Sequence, residues 1–169
     1  MHNFINQNKK WGIILAIALV LTLGVFGIAS AAEFPSGEVI PAGETIDDDV
    51  FISGENVVVD GNVNGMLFAT GSTVTINGAV SGDALIAGET IIVTESAIID
   101  GNLFIGGADV TLNGNVSGSL FVGSSDMEIG PSASVGRNTY FGGFNLTAKE
   151  GSTIGRDLYM GGYQAVFSG

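Results

Sequence analysis

Beyond residue 38 the chain alternates apolar and polar residues in short runs, and the runs recur. Val63-Asn64-Gly65-Met66-Leu67-Phe68-Ala69-Thr70-Gly71 returns as Val80-Ser81-Gly82-Asp83-Ala84-Leu85-Ile86-Ala87-Gly88, then as Ile99-Asp100-Gly101-Asn102-Leu103-Phe104-Ile105-Gly106-Gly107. Later copies start at Val116, Val135 and Ile154, and a degenerate first copy starts at Ile46. The third residues of the copies are 48, 65, 82, 101, 118, 137 and 156, so the spacings are 17, 17, 19, 17, 19 and 19. A short, nearly fixed period predicts stacked repeats, each unable to bury its apolar side alone.

Cut into turns at Glu38, Glu55, Ser72, Glu89, Ala108, Ser125, Phe144 and Tyr163, the chain is apolar at the third and fifth positions almost throughout. The pairs read Ile40/Ala42, Val57/Val59, Val74/Ile76, Ile91/Val93, Val110/Leu112, Met127/Ile129 and Leu146/Ala148. A third column follows one corner later: Ile46, Val63, Val80, Ile99, Val116, Val135 and Ile154. Residues two apart on a strand share a face, so these columns point into one core. Short corners such as Asp60-Gly61-Asn62 and Asn77-Gly78-Ala79 use glycine, which accepts the positive φ that tight corners often need. Long corners at 94–98, 130–134 and 149–153 insert two residues each, always at the same place in the turn. The pattern predicts an all-β, single-stranded parallel β-helix solenoid with three strand segments of four to six residues per turn. Its cross-section is triangular, with 17–19 residues per turn.

The third segment carries the column Phe51, Phe68, Leu85, Phe104, Phe121, Tyr140 and Tyr159, with apolar neighbours on both sides. Continuous apolarity marks a strand covered on both faces. If the neighbours point inward, the aromatic column forms an outward stripe and a candidate association surface. If the aromatics fill the core, the neighbours face out instead. The outer positions of the first segment are polar or mixed, as at Thr73, Thr75, Asp109, Thr111, Asp126 and Glu128. One face is wet and another is apolar.

Ahead of the repeats, Lys9 and Lys10 precede 19 uncharged residues, Trp11 to Ala29, and small residues Ala29-Ser30-Ala31-Ala32 follow. A basic start, an apolar middle and a small-residue cleavage site describe a signal peptide. The apolar run is also long enough to stay as an N-terminal membrane-anchoring helix. Residues 1–32 are therefore read as signal peptide or anchor, 33–37 as linker and 38–169 as repeats. Tyr163-Gln164-Ala165-Val166-Phe167-Ser168-Gly169 opens another turn and stops at its first corner, which reads as a repeat array truncated at that end. The expected location is the extracytoplasmic face of the membrane or the cell envelope.

Charge sharpens this picture. The net charge is −12, and beyond residue 32 only Arg137, Lys149 and Arg156 oppose 17 acids. Such a surface disfavours nucleic acid as a partner. With Cys 0 and one histidine, His2 in the leader, no thiol chemistry, cysteine metal site or catalytic histidine is available to the repeats. No catalytic, cofactor or metal residues are expected, and the chain does not read as an enzyme. Arg137 and Arg156 share one column in consecutive turns and are a candidate contact for an anion or a partner's carboxylate. The bland alternative is a pair of surface arginines sharing a salt bridge.

The copies Gly61-Asn62-Val63-Asn64-Gly65 and Gly78-Ala79-Val80-Ser81-Gly82-Asp83 resemble the bactofilin family of polymer-forming cytoskeletal proteins, over residues 38–169. The resemblance implies a right-handed, three-sided β-helix, joined end to end into nucleotide-independent filaments that serve as a membrane-associated scaffold. It carries over no catalytic residue and no cofactor. The exported leader departs from the cytoplasmic members and is more similar to a subclass with membrane helices further on. The expected function is a self-associating scaffold of the cell envelope. Its partners are copies of itself and a membrane reached through the N-terminal segment or a missing C-terminal region. The alternative is a non-polymerising extracellular spacer or binding module.

Overall fold

The computed structural model describes residues 37–168, all within one of the chain's two compact units, Ala32–Gly169. Strand β1 (Val39–Ile40) is followed by short and long strands in alternation. These are β2 (Thr45–Ile46) and β3 (Val50–Val59), β4 (Asn62–Val63) and β5 (Leu67–Ile76), β6 (Ala79–Val80) and β7 (Ala84–Val93). The series continues with β8 (Ile98–Ile99), β9 (Leu103–Leu112), β10 (Asn115–Val116), β11 (Leu120–Ile129), β12 (Ser134–Val135) and β13 (Thr139–Ala148). It closes with β14 (Thr153–Ile154), β15 (Leu158–Gly161) and β16 (Gln164–Phe167). Every pairing is parallel and joins one turn to the next.

The fold is an all-β parallel solenoid. The expected N-terminal apolar helix is corrected: among the described residues there is no helix. The segment on which that expectation fell, residues 1–32, lies outside the described residues.

The pairing register follows the sequence period. Val50, Leu67, Ala84, Leu103, Leu120, Thr139 and Leu158 stack in one column, separated by 17, 17, 19, 17, 19 and 19 residues. The three strands expected per turn differ in form, because two of them run together as one ten-residue strand. That strand bends at its sixth residue. Pairing skips Glu55, Ser72, Glu89, Ala108, Ser125 and Phe144, and the buried positions change parity there, from Leu67 and Ala69 to Val74 and Ile76. With the two-residue strand as the remaining side, each turn has three sides around one apolar core.

In the first turn the expected register is wrong by two residues. Ile40 pairs with Val59 rather than Val57, and Ala42 is exposed rather than a core residue. The cause is a long corner at 41–45. Its hydrogen bond from Glu44 N to Pro41 O (3.1 Å) repeats in the other long corners, from Ala97 N to Thr94 O (3.1 Å), Ala133 N to Gly130 O (3.0 Å) and Ser152 N to Lys149 O (3.1 Å). Gly43 and Gly151 occupy the third place of this turn with φ of 85° and 94°, a conformation open to glycine. The short corners do not need it. Gly61, Gly78 and Gly114 have no positive φ; they are glycine because the preceding turn lies against them. A Cβ on Gly61 would sit 2.7 Å from the Glu44 carbonyl oxygen, and one on Gly114 would sit 2.7 Å from that of Ala97.

Polar side chains of the corners and of the outer strand faces form ladders between turns. Asn77 Nδ2 donates to Asp60 Oδ1 (2.6 Å), and Thr94 Oγ1 donates to Asn77 Oδ1 (2.8 Å). Asp83 Oδ1 accepts from Asn102 N (2.7 Å), and Asp126 Oδ1 accepts from Asn145 Nδ2 (2.7 Å). Several acids therefore hold turns together, beyond the solubility their number suggests.

One core position breaks the pattern. Thr139 stands in the column of Leu103 and Leu120, is 1% exposed, and its Oγ1 has no hydrogen-bond partner. Replacing the hydroxyl by a methyl removes a buried polar group without changing shape. Thr139→Val is expected to raise stability by about 1 kcal/mol, read as a melting temperature higher by roughly 3 °C. An unchanged or lower value would show that the hydroxyl is satisfied.

Candidate association surface

The side formed by the first half of each long strand presents two outward columns. In one, Phe51, Phe68, Leu85, Phe104, Phe121, Tyr140 and Tyr159 pair in register from turn to turn. Through Tyr140 their neighbours on both sides are buried, as at Leu67 and Ala69 or Leu103 and Ile105, and beside Tyr159 they are half-buried, while the column itself is half-buried or exposed. Strand alternation then places the rings on the outside.

The rings form stacks. Phe51 and Phe68 lie 4.3 Å apart with planes 3° from parallel. Phe104, Phe121, Tyr140 and Tyr159 form a second stack with centroid spacings of 4.7, 4.7 and 5.0 Å. The turn spacing of a parallel sheet, about 4.8 Å, imposes this distance. Leu85 separates the two stacks. Asn138 Nδ2 donates to the Tyr140 hydroxyl at 3.1 Å, tying the ridge to the corner.

Two residues further along each strand the second column reads Ser53, Thr70, Ala87, Gly106, Gly123, Gly142 and Gly161. The ridge and this low column bound a groove of about 990 Å³ running from Phe68 to Gly161. Adjacent glycines here have opposite reasons. At Gly88 and Gly107 a Cβ would approach the previous turn's carbonyl oxygen to 2.6 and 2.8 Å. At Gly106, Gly123, Gly142 and Gly161 it would meet no atom within 4 Å. The fold does not require glycine at those four positions.

The chemistry of the face follows. Neither column carries a charge, on a chain of net charge −12. Within each stack the ring faces cover one another, so mainly ring edges point outward. That offers little platform for stacking a sugar or base, but an apolar ridge beside a bare backbone floor can bury apolar surface. Among the described residues no three His, Cys, Asp or Glu side chains come together as a metal site.

Arg137 and Arg156 do lie in consecutive turns of one column, linked by Arg156 N donating to Arg137 O at 3.2 Å. Both are exposed, and neither forms an ion pair among the described residues. The ion pair present joins Lys149 Nζ to Glu128 Oε2 at 3.3 Å, on the wet face. In earlier turns the arginine column is Gly82, Gly101 and Gly118, which continue the same backbone ladder. A residue with a Cβ fits at 137 and 156 where glycine has moved one place earlier, to Gly136 and Gly155. A Cβ at either would lie 2.5 Å from the carbonyl oxygen below it.

The last described turn is also apolar on its outer parts. Strands β15 and β16 pair with β13 on one side, and Tyr159 (53%), Val166 (41%) and Phe167 (58%) are exposed. At the opposite end the Glu38 carboxylate accepts from Glu55 N (2.9 Å) and Asn56 N (3.2 Å).

The low column beside the ridge is the feature that reading the sequence missed. Its signal was available as small residues two places after each aromatic, once the turns are stacked. Compared with models of protein families, with curated proteins and with solved structures, the chain shows no match. The fold is consistent with the general bactofilin-like architecture, and no family match ties the sequence to that family. A parallel β-solenoid of this kind is consistent with a structural or binding module.

Proposed function

We propose that the protein is a structural, self-associating scaffold of the cell envelope rather than an enzyme. One observation carries this reading: an uncharged ridge of stacked rings beside a groove of about 990 Å³, on an otherwise acidic chain. An uncharged apolar ridge that continues through seven turns is the kind of surface that marks an interaction site. Export and a membrane-side location enter the proposal through the charged, then apolar, then small-residue leader.

The competing reading, a rigid spacer that does not polymerise, is favoured by the Glu38 carboxylate, which already caps two backbone donors of the first long strand. Negative-stain microscopy with sedimentation of the full chain, across concentration and salt, separates the two. Assemblies that grow with concentration, and shrink in the Phe68→Asp/Phe121→Asp variant, are expected. A monomer at every concentration tested would favour the spacer.

A further inference from the structure

The face that carries the aromatic ridge also carries the trough that fits it. Ridge and trough run side by side through the same turns, two residues apart on each strand, which is about 7 Å. Laying two such faces together offers two simple pairings. A two-fold axis perpendicular to the rods makes them antiparallel and sets ridge on ridge. A two-fold axis parallel to the rods keeps them parallel, and sets each ridge over the other's trough, turn against turn. Shape selects the second.

We propose that two copies of the chain pair side by side, parallel and in register, each aromatic ridge seated on the low column of the other, which is Ser53, Thr70 and Ala87 in the first turns and glycine from Gly106 onward. The proposal rests on the self-association reading and adds its geometry. It accounts for the four glycines the fold does not need, since a side chain at Gly106, Gly123, Gly142 or Gly161 would fill the trough from within. The interface is isologous, as in most dimers of identical chains. Seven turns at about 4.8 Å, and five residues across at about 3.3 Å, outline roughly 550 Å² on each partner. The total of about 1,100 Å² just clears the area expected of a specific interface.

Charge sets the condition under which the pair forms. In this arrangement the rim at Asp49 and Asp83 of one copy lies beside the rim at Glu55 and Glu89 of the other. Of the rims beyond them, Asn102 against Ala108, Ser119 against Ser125 and Asn138 against Phe144 carry no charge, and Asp157 faces the uncharged Tyr163. Repulsion is thus confined to the first turns, and raising the salt screens it. Pairing strengthens with ionic strength, opposite to an interface held by ion pairs.

The test uses two differently tagged full chains produced together, one bearing Leu85→Cys and the other Ala87→Cys. The natural chain has no cysteine, so no other thiol competes. Parallel pairing brings position 85 of one copy to position 87 of its partner. After mild oxidation, mixed disulfides are expected to exceed like-with-like disulfides at least tenfold. Adding Gly123→Gln and Gly142→Gln to both chains should cut the mixed product at least tenfold without lowering the melting temperature of the dilute, unpaired chain, since neither Cβ meets an atom. Like-with-like products only, no disulfide, or mixed product indifferent to the glutamines would each overturn the proposal. Concentration-dependent assemblies seen by microscopy without the mixed disulfide would overturn this geometry and leave self-association standing. Monomers throughout would remove both.

Discussion

Leu103→Ala is expected to cost about 3–5 kcal/mol, among the larger losses available to a single substitution in this chain. Leu103 is fully buried in the middle of the stack and pairs with Ala84 in one neighbouring turn and Leu120 in the other. Ala84 is already small, so the space left by the leucine has no large neighbour beneath it to relax inward. Because each turn touches mainly the turns beside it, the loss falls on two adjacent interfaces. Denaturant unfolding should show the fall in midpoint. Hydrogen exchange should show the turns on either side of residue 103 losing protection first, where a globular core would spread the effect. Leu85→Ala, on the outer face one turn earlier, is the control and should cost clearly less. Equal losses at 85 and 103 would mean that the inside and outside of the strand have been misassigned.

Gly78→Ala is expected to cost about 3 kcal/mol, although alanine is usually the milder residue. The reason is space rather than conformation. Gly78 is buried in a short corner, its N–H donates to Val59 O at 2.9 Å, and an added Cβ would overlap the carbonyl oxygen of Gly61 beneath it. Neither atom belongs to a flexible side chain, so the turns must separate. Gly123→Ala is the matched comparison, because its Cβ meets nothing within 4 Å and the change should stay within about 0.5 kcal/mol. Thermal melts of the two variants side by side decide the matter. A harmless Gly78→Ala would mean that the corner has more room than its stacking allows.

Much of the fold was legible because a solenoid writes the same constraint in every turn. The columns through Val63, Val80 and Ile99, and through Val74 and Ile91, could be aligned by their spacing alone, and they pair in that alignment. The alignment failed where repetition is weakest. The first turn has no preceding copy to calibrate it, so spacing alone does not mark Pro41-Ala42-Gly43-Glu44-Thr45 as a long corner and gives Ala42 a core place it does not hold. Glycine was legible as a residue of corners but not in its cause, since close approach and positive φ leave the same letter. The inside of the aromatic segment was ambiguous for a similar reason. Leu67-Phe68-Ala69 is apolar whichever way it points, and only the bend at Ser72 decides which parity faces the core. The low column beside the ridge escaped because glycine two places after an aromatic says nothing until the turns are superposed.

The way each long strand continues across its bend, and each turn hands its register to the next, makes length an independent property of this protein. A 17- or 19-residue copy added or lost in the middle would alter the rod by one layer, about 4.8 Å. The apolar columns, the corner ladders and the ridge would close over the change. Reach can thus be reset by duplication of a short stretch of coding sequence, in uniform steps, without redesigning a core. A compact globular domain has no comparable graduation, because its size is bound to its shape.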